Sequence, residues 1–164
     1  MRIGAILKAG ARHFNAFATG AAARVGLRFH FQSKAESFMA QTGITFTPDA
    51  DAASISSDVA EYNGILVTTQ VPVRADGELE LGDIVTQSEC TLQALKDALE
   101  RAGSSMDRVL HLTIYLTDMA DRAAFNEVYQ RFFAKPWPVR AAVGVASLAF
   151  EGMKVEVTAM AAKG

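Results

Sequence analysis

The sequence has one cysteine, Cys90, and three scattered histidines, which excludes two kinds of site. A single cysteine cannot form an intramolecular disulfide or supply a thiolate metal cluster. His13, His30 and His111 do not stand four residues apart, so the usual helical spacing of two histidine ligands is missing. We therefore predict no metal site.

Long apolar runs and glycine-rich phosphate loops are also missing. No stretch approaches the roughly 20 apolar residues that a membrane-spanning helix needs. Ser54, Ser56 and Ser57 have no histidine at a spacing typical of a serine nucleophile. We expect no membrane partner and no serine-nucleophile chemistry.

Acidic residues are scarce at the start of the chain. Residues 1–38 contain six Lys or Arg and one acid, Glu36, whereas residues 39–164 contain ten basic and seventeen acidic residues, a balance of −7. An acidic domain lacks the positive footprint of a nucleic-acid-binding protein. We therefore expect no nucleic-acid partner.

Three interpretations of residues 1–38 remain open. A mitochondrial-type targeting segment is Arg-rich and acid-poor but usually Ser-rich, and the first serine is Ser33. A secretory signal needs an apolar run that basic residues here interrupt. We favour a basic extension outside the fold, followed by one domain over residues 39–164. We expect a cytoplasmic location, with a mitochondrial one as the alternative.

Alternating apolar residues predict strands, and three- and four-residue spacing predicts helices. The first helix follows Asp83 as N-cap and ends near Gly103, and the second carries an aromatic stripe that includes Tyr129. The strands are predicted at residues 44–47, 65–71, 109–117, 139–147 and 153–161. This order predicts an α+β fold, with two helices on one face of a mostly antiparallel sheet.

The other sheet face is predicted to be covered by another subunit. Ala142, Gly144 and Ala146 are expected on it, and small apolar residues on an uncovered face favour burial between subunits.

Two charged residues interrupt the apolar final strands. Arg140 lies beside small residues, where its planar fork suits bidentate capture of a carboxylate, and Glu156 stands between two valines. From the residues alone, a salt bridge between Arg140 and Glu156 across a hairpin is the simpler interpretation.

Several segments in order resemble the Rid (reactive intermediate deaminase, or YjgF) family over about residues 42–162. The Asn126–Tyr129–Phe133–Arg140 pattern is similar to the family's N-x-x-Y…F…P-x-R signature. The other similar segments are residues 67–73 (S-G-Q-x-P in the family), 87–103, 112–119 and 155–157 (V-E-I/V in the family).

The resemblance implies a chorismate-mutase-like subunit, a homotrimer and clefts between subunits. It implies cofactor-independent hydrolysis of enamine or imine acids such as 2-aminoacrylate to 2-keto acids and ammonia. In that scheme Arg140 holds the substrate carboxylate and Glu156 activates water. The residues expected to contact substrate are Thr68 and Thr69 through backbone groups, Asn126 and Ala142.

The sequence departs from the family pattern at several positions. Ser54-Ile55-Ser56 replaces Pro-Tyr-Ser, Thr69 replaces glycine, Ala94 replaces asparagine, and Ala142 replaces a frequent cysteine. The alternative is therefore a non-catalytic member that binds a small carboxylic acid as a sensor or partner protein. Arg140 and Glu156 favour the enzyme, whereas Ile55 and Thr69 favour the binding protein.

Overall fold

A computed structural model of the protein describes residues 36–37, 39, 41–49 and 53–164. The predicted extension over residues 1–38 lies outside these residues except at positions 36 and 37. In chain order the elements are β1 Ile44–Pro48, β2 Ser57–Tyr62, β3 Ile65–Gln70, α1 Ile84–Arg101, β4 Val109–Leu116, α2 Arg122–Phe132, β5 Val139–Gly144 and β6 Val155–Ala162.

The strands form one sheet in the order β1-β2-β3-β6-β4-β5. Neighbouring strands are antiparallel except β4 and β5, which are parallel and joined through α2. Both helices contribute to the core on one side of the sheet. The predicted α+β fold, with two helices on a mostly antiparallel sheet, is confirmed.

Helix α1 begins and ends where the sequence predicts. The Asp83 carboxylate accepts a hydrogen bond from the Thr86 backbone N–H at 2.9 Å, which satisfies a free donor of the first turn. Gly103 follows the helix with φ +78°, a conformation that favours glycine. Leu92, Leu95 and Leu99 between these ends are fully buried against the sheet.

Helix α2 buries the predicted aromatic stripe. Phe125, Val128 and Tyr129 are buried, and Phe133 directly after the helix continues the same face. The Tyr129 ring stacks on the Phe133 ring with 4.4 Å between centroids. This stripe fixes α2 against the sheet next to the edge strand β5.

Strand β2 was not predicted from the sequence. Only Val59 among its residues is fully buried, so the strand lacks a clear apolar alternation. Asn63 and Gly64, with φ of 50° and 76°, form a tight turn between β2 and β3. An Asn-Gly pair is a strong hairpin signal, and it was the evidence available for a strand before residue 63.

The expected hairpin between the last two strands is wrong. β5 pairs with β4, and β4 separates it from β6. Leu110 of β4 precedes the buried Leu112 by two residues but is 47% exposed, because a bulge interrupts the pairing between Val109 and His111. Because β5 is the last strand in the sheet order, it lies at the sheet edge.

Candidate functional site

Arg140 lies on the edge strand β5 and extends toward the helices. It aligns with Leu112 of β4, whose side chain is buried in the core, so both point to the helix side of the sheet. The Arg140 guanidinium carbon is 4.6 Å from the centre of the Tyr129 ring. This distance is within the range of a cation–π contact.

A pocket of about 320 Å³ opens at this contact. We call it the arginine pocket. It is lined by Asn126, Tyr129, Gln130, Trp137 and Arg140. Helix α2 supplies Asn126 and, one turn later, Tyr129 and Gln130, and the chain from Trp137 into β5 supplies the other two. The pocket combines one cation, two amides and two aromatic rings, a set suited to a small planar carboxylate.

The charge of Arg140 has no counterion within the described part of the chain, where the ion pairs involve other residues. Its side chain is exposed at the strand edge. Beneath it, the Tyr129 hydroxyl is buried without a hydrogen-bond partner. Burial raises the pKa of Tyr129, and the positive charge of Arg140 opposes that rise. The pocket therefore presents a guanidinium without a counterion, supported by the uncharged ring of Tyr129.

Glu156 lies on the opposite face of the sheet, at the second position of strand β6. It aligns with Tyr115 of β4, on the face away from the helices. Burial raises the pKa of the Glu156 carboxyl above its ordinary value of 4.5. A carboxylate with a raised pKa accepts a proton from water more readily than an ordinary surface carboxylate does.

Thr69 and Thr68 lie on different faces of β3. Thr69 shares the face of Glu156, and its hydroxyl is 3.0 Å from the hydroxyl of Thr158 on β6. Since Thr69 is opposite Thr158, Glu156 is its diagonal neighbour at about 7–8 Å. Thr68 is buried on the helix side, and its hydroxyl donates to the Asp58 backbone oxygen at 2.7 Å. The Thr68 side chain is thus committed to the fold, and only its backbone remains for a ligand.

The simpler interpretation of Arg140 and Glu156, a salt bridge across a hairpin, is wrong. The residue of β6 level with Arg140 is Ala159, reached across Leu112 of the intervening strand. Arg140 and Glu156 are thus two strand spacings and three residues apart, about 14 Å between Cα atoms. They also point to opposite faces. Each charge is left available for another partner.

The prediction that Ala142 and Gly144 lie on the sheet face without helices is wrong. Ala142 and Gly144 lie on the helix side with Arg140, and Ala142 packs against the core rather than lining the pocket. The open face instead carries a row of exposed apolar side chains, including Val67, Met160 and Val139 at 41%, 41% and 69% exposure. An apolar patch of this kind marks an interaction surface.

A larger cavity of about 600 Å³ is lined by both helices and by the segment between β3 and α1. Its two arginines are neutralised, since Arg131 pairs with Glu89 and Arg74 lies 3.6 Å from Glu80. No residue predicted from the sequence to contact substrate lines it. We therefore assign the candidate site to the smaller arginine pocket, where the charge is not neutralised.

Two residues of the arginine pocket were missed as site residues. Tyr129 follows the helical apolar spacing and is buried, so the sequence indicates a core role and hides its contact with Arg140. Trp137 is 44% exposed between two prolines and belongs to no periodic segment. A solvent-exposed tryptophan three residues before a candidate ligand-binding arginine was the signal available for it.

Other features bear on cofactors and membranes. The described residues include no group of three or more His, Cys, Asp or Glu side chains placed to hold a metal ion. Within the same part of the chain, no helix is long and apolar enough to cross a membrane.

Comparison with known proteins places the chain in one family. Residues 48–163 match the family model described as Endoribonuclease L-PSP. Protein HMF1 of Saccharomyces cerevisiae is 39% identical over 114 residues, which cover 70% of this chain and 88% of HMF1. The mitochondrial protein MMF1 of the same yeast is 34% identical over 110 residues, 66% of this chain and 76% of MMF1.

Solved structures show the same relationship. The crystal structure of RidA from an Antarctic Psychrobacter bacterium matches with a TM-score of 0.63 and 30% identity over 71% of this chain and 93% of RidA. Yeast Mmf1 matches with a TM-score of 0.66 and 29% identity over 74% of this chain and 99% of Mmf1. The chain therefore belongs to the YjgF/Rid family.

Proposed function

We propose that the protein hydrolyses imines of 2-amino acids, and the enamines that give rise to them, to 2-keto acids and ammonia without a cofactor. The observation that carries this proposal is the free guanidinium of Arg140, held on Tyr129 in a pocket shared with Asn126. A planar fork with no internal counterion is suited to a ligand carboxylate.

Substrate binding in this proposal begins at the arginine pocket. Arg140 donates two parallel hydrogen bonds to the carboxylate, which fixes the plane of the substrate. Asn126 lines the same pocket and can accept a hydrogen bond from the imine N–H. Backbone groups at Thr68 and Thr69, the latter on the sheet face of Glu156, complete the proposed contacts, whereas Ala142 packs against the core.

The hydrolytic step uses Glu156 as the base. An enamine first moves a proton from nitrogen to carbon and becomes the imine. Water then adds to the imine carbon while Glu156 accepts one water proton and passes it to the nitrogen. The added hydroxyl then gives its remaining proton to the departing nitrogen as the carbon–nitrogen bond breaks and the oxygen becomes the carbonyl, which yields one 2-keto acid and one ammonia. The raised pKa of Glu156 supports this role because it makes the carboxylate a better base.

A second copy of the chain is needed to complete the site. Arg140 and Glu156 point to opposite sheet faces, so a small substrate can reach both only if they come from two subunits. The apolar open face supports burial between copies. Together with the family resemblance, these observations favour a homotrimer with one site at each interface.

An ammonia-release assay tests the proposal, with 2-iminopropionate generated from alanine by an amino-acid oxidase. The protein is expected to accelerate release above the spontaneous rate. Arg140→Lys keeps the charge but loses the fork, so kcat/KM should fall by roughly one to two decades, the equivalent of about 1.5–3 kcal/mol. Glu156→Gln should lower kcat more than substrate binding.

Matched controls separate these effects from general damage. Arg131→Lys and Glu127→Gln change exposed residues outside the arginine pocket and should retain activity. Pyruvate binding without turnover of any imine would instead favour the non-catalytic carboxylate-binding protein. A stable monomer in sedimentation at micromolar concentration, fully active, would contradict the two-subunit site.

The proposed function also includes the absence of a nucleic-acid partner and a cytoplasmic location. The balance of −7 over residues 39–164 supports a small-molecule role without a nucleic-acid partner. We place the protein in the cytoplasm. Mitochondrial import is the alternative because residues 1–38 are basic and the relative MMF1 is described as mitochondrial. Fusing residues 1–38 to a fluorescent protein distinguishes the two locations.

A further inference from the structure

Trp137 forms the rim of the arginine pocket. It is the single tryptophan of the sequence, and 44% of its surface is exposed beside the guanidinium. Its ring centre lies 5.9 Å from the centre of the Tyr129 ring, at an angle of 41°. Tyr129 therefore supports both the cation and the indole.

The indole is held in place before any ligand arrives. The Tyr129 ring is itself stacked on Phe133 and lies 6.3 Å from Phe125, so Trp137 rests on a buried aromatic row. Pro136 and Pro138 on either side of Trp137 restrict the backbone. A side chain that is already ordered loses little conformational entropy when a ligand covers it.

The exposure of Trp137 indicates more than a core role. A tryptophan that served only the core would be largely covered, whereas this one leaves apolar surface facing the pocket. The pocket of about 320 Å³ also exceeds what a three-carbon imino acid fills. When the carboxylate lies on Arg140, the flat imine carbon directs its remaining substituent along the pocket wall, where the indole is available.

We propose that Trp137 is a specificity-determining residue that selects 2-imino acids with an aromatic side chain over those with a methyl side chain. This inference rests on the proposed function and extends it to a substrate class. An aromatic substituent packs against the indole in a tilted or offset arrangement, while a methyl group leaves the indole uncovered. The expected preference is about tenfold, the upper range for one aromatic pair.

Binding of stable keto acids tests the inference without requiring turnover. The probes are phenylpyruvate and pyruvate, with affinities from calorimetry and with fluorescence of the single tryptophan as a local reporter. Phenylpyruvate should bind about tenfold more tightly and change the Trp137 emission. Trp137→Ala should abolish the preference with little change for pyruvate, and Trp137→Phe should retain most of it. Leu110→Ala, at a residue 47% exposed outside the pocket, is the matched control.

Turnover is then compared for the imines of phenylalanine and alanine, each generated by the oxidase. The ratio of their kcat/KM values should follow the binding preference and fall in Trp137→Ala. Equal affinities for the two keto acids, or a preference that survives Trp137→Ala, would overturn the inference. The same holds if Trp137→Ala weakens both ligands equally and dissociates the assembly, because Trp137 would then serve the subunit contact. Failure of every imine to react would remove the proposed function alone and leave the binding preference as a separate result.

Discussion

Replacing Tyr129 with leucine removes the ring beneath Arg140 while keeping a buried apolar side chain. The guanidinium lies 4.6 Å above that ring, and a cation–π contact at a partly exposed site contributes about 1 kcal/mol. Without it the guanidinium is free to move, so pyruvate binding should weaken about fivefold. The stacked contact with Phe133 and some core volume are lost as well, which should lower stability by about 2–4 kcal/mol.

Tyr129→Phe separates the ring from its hydroxyl. The phenylalanine keeps the surface beneath Arg140, so pyruvate affinity should match that of the original protein. Its stability should be equal or higher, because the removed hydroxyl is buried without a partner. Calorimetric titration below the melting temperature measures binding, and urea denaturation measures stability. If Tyr129→Leu binds pyruvate as well as Tyr129→Phe does, the ring does not position Arg140 and the reasoning is refuted.

Two other predictions concern pH and the start of the chain. Burial raises the folded-state pKa of Glu156 above 4.5, so its ionised form costs stability at pH 7 and that cost disappears as the pH falls below 4.5. Glu156→Gln should therefore melt at the same or a higher temperature than the original protein at pH 7 and lose that advantage near pH 4. The activity of the original protein should decline in acid with a midpoint above 4.5. A lower melting temperature of Glu156→Gln at pH 7 would contradict this reasoning. A chain beginning at Met39 should stay folded and soluble because residues 39–164 hold all the described strands and both long helices, and strong destabilisation or aggregation on heating would show that residues 1–38 belong to the fold.

Local signals predicted the parts of the fold that depend on neighbouring residues. Asp83 and Gly103 mark the ends of α1 because capping and a positive φ are decided within a few residues. The aromatic stripe of α2 follows from helical spacing alone. Strand β2 escaped because its charged and small residues show no alternation, although Asn63-Gly64 marked the turn that follows it.

Strand order could not be predicted in the same way. The strands predicted at residues 139–147 and 153–161 are separated by a short connection, which favours a hairpin, yet β4 occupies the place beside β6. That placement decides the neighbours of Arg140 and which face Ala142 occupies. The motif therefore identified Arg140 and Glu156 as candidates, while only the sheet topology showed that they point apart.

In the proposed assembly, the placement of Arg140 and Glu156 on opposite sheet faces has a genetic consequence. A subunit that lacks Arg140 still offers an intact Glu156 to its neighbour, and the reverse is true of a subunit that lacks Glu156. An assembly that mixes the two inactive variants would regain a complete site at each interface where an intact Arg140 meets an intact Glu156. Two alleles, each carrying one of these changes, could thus restore activity when both are expressed in one cell. A single polypeptide carrying both changes would offer neither Arg140 nor Glu156 to a neighbouring subunit.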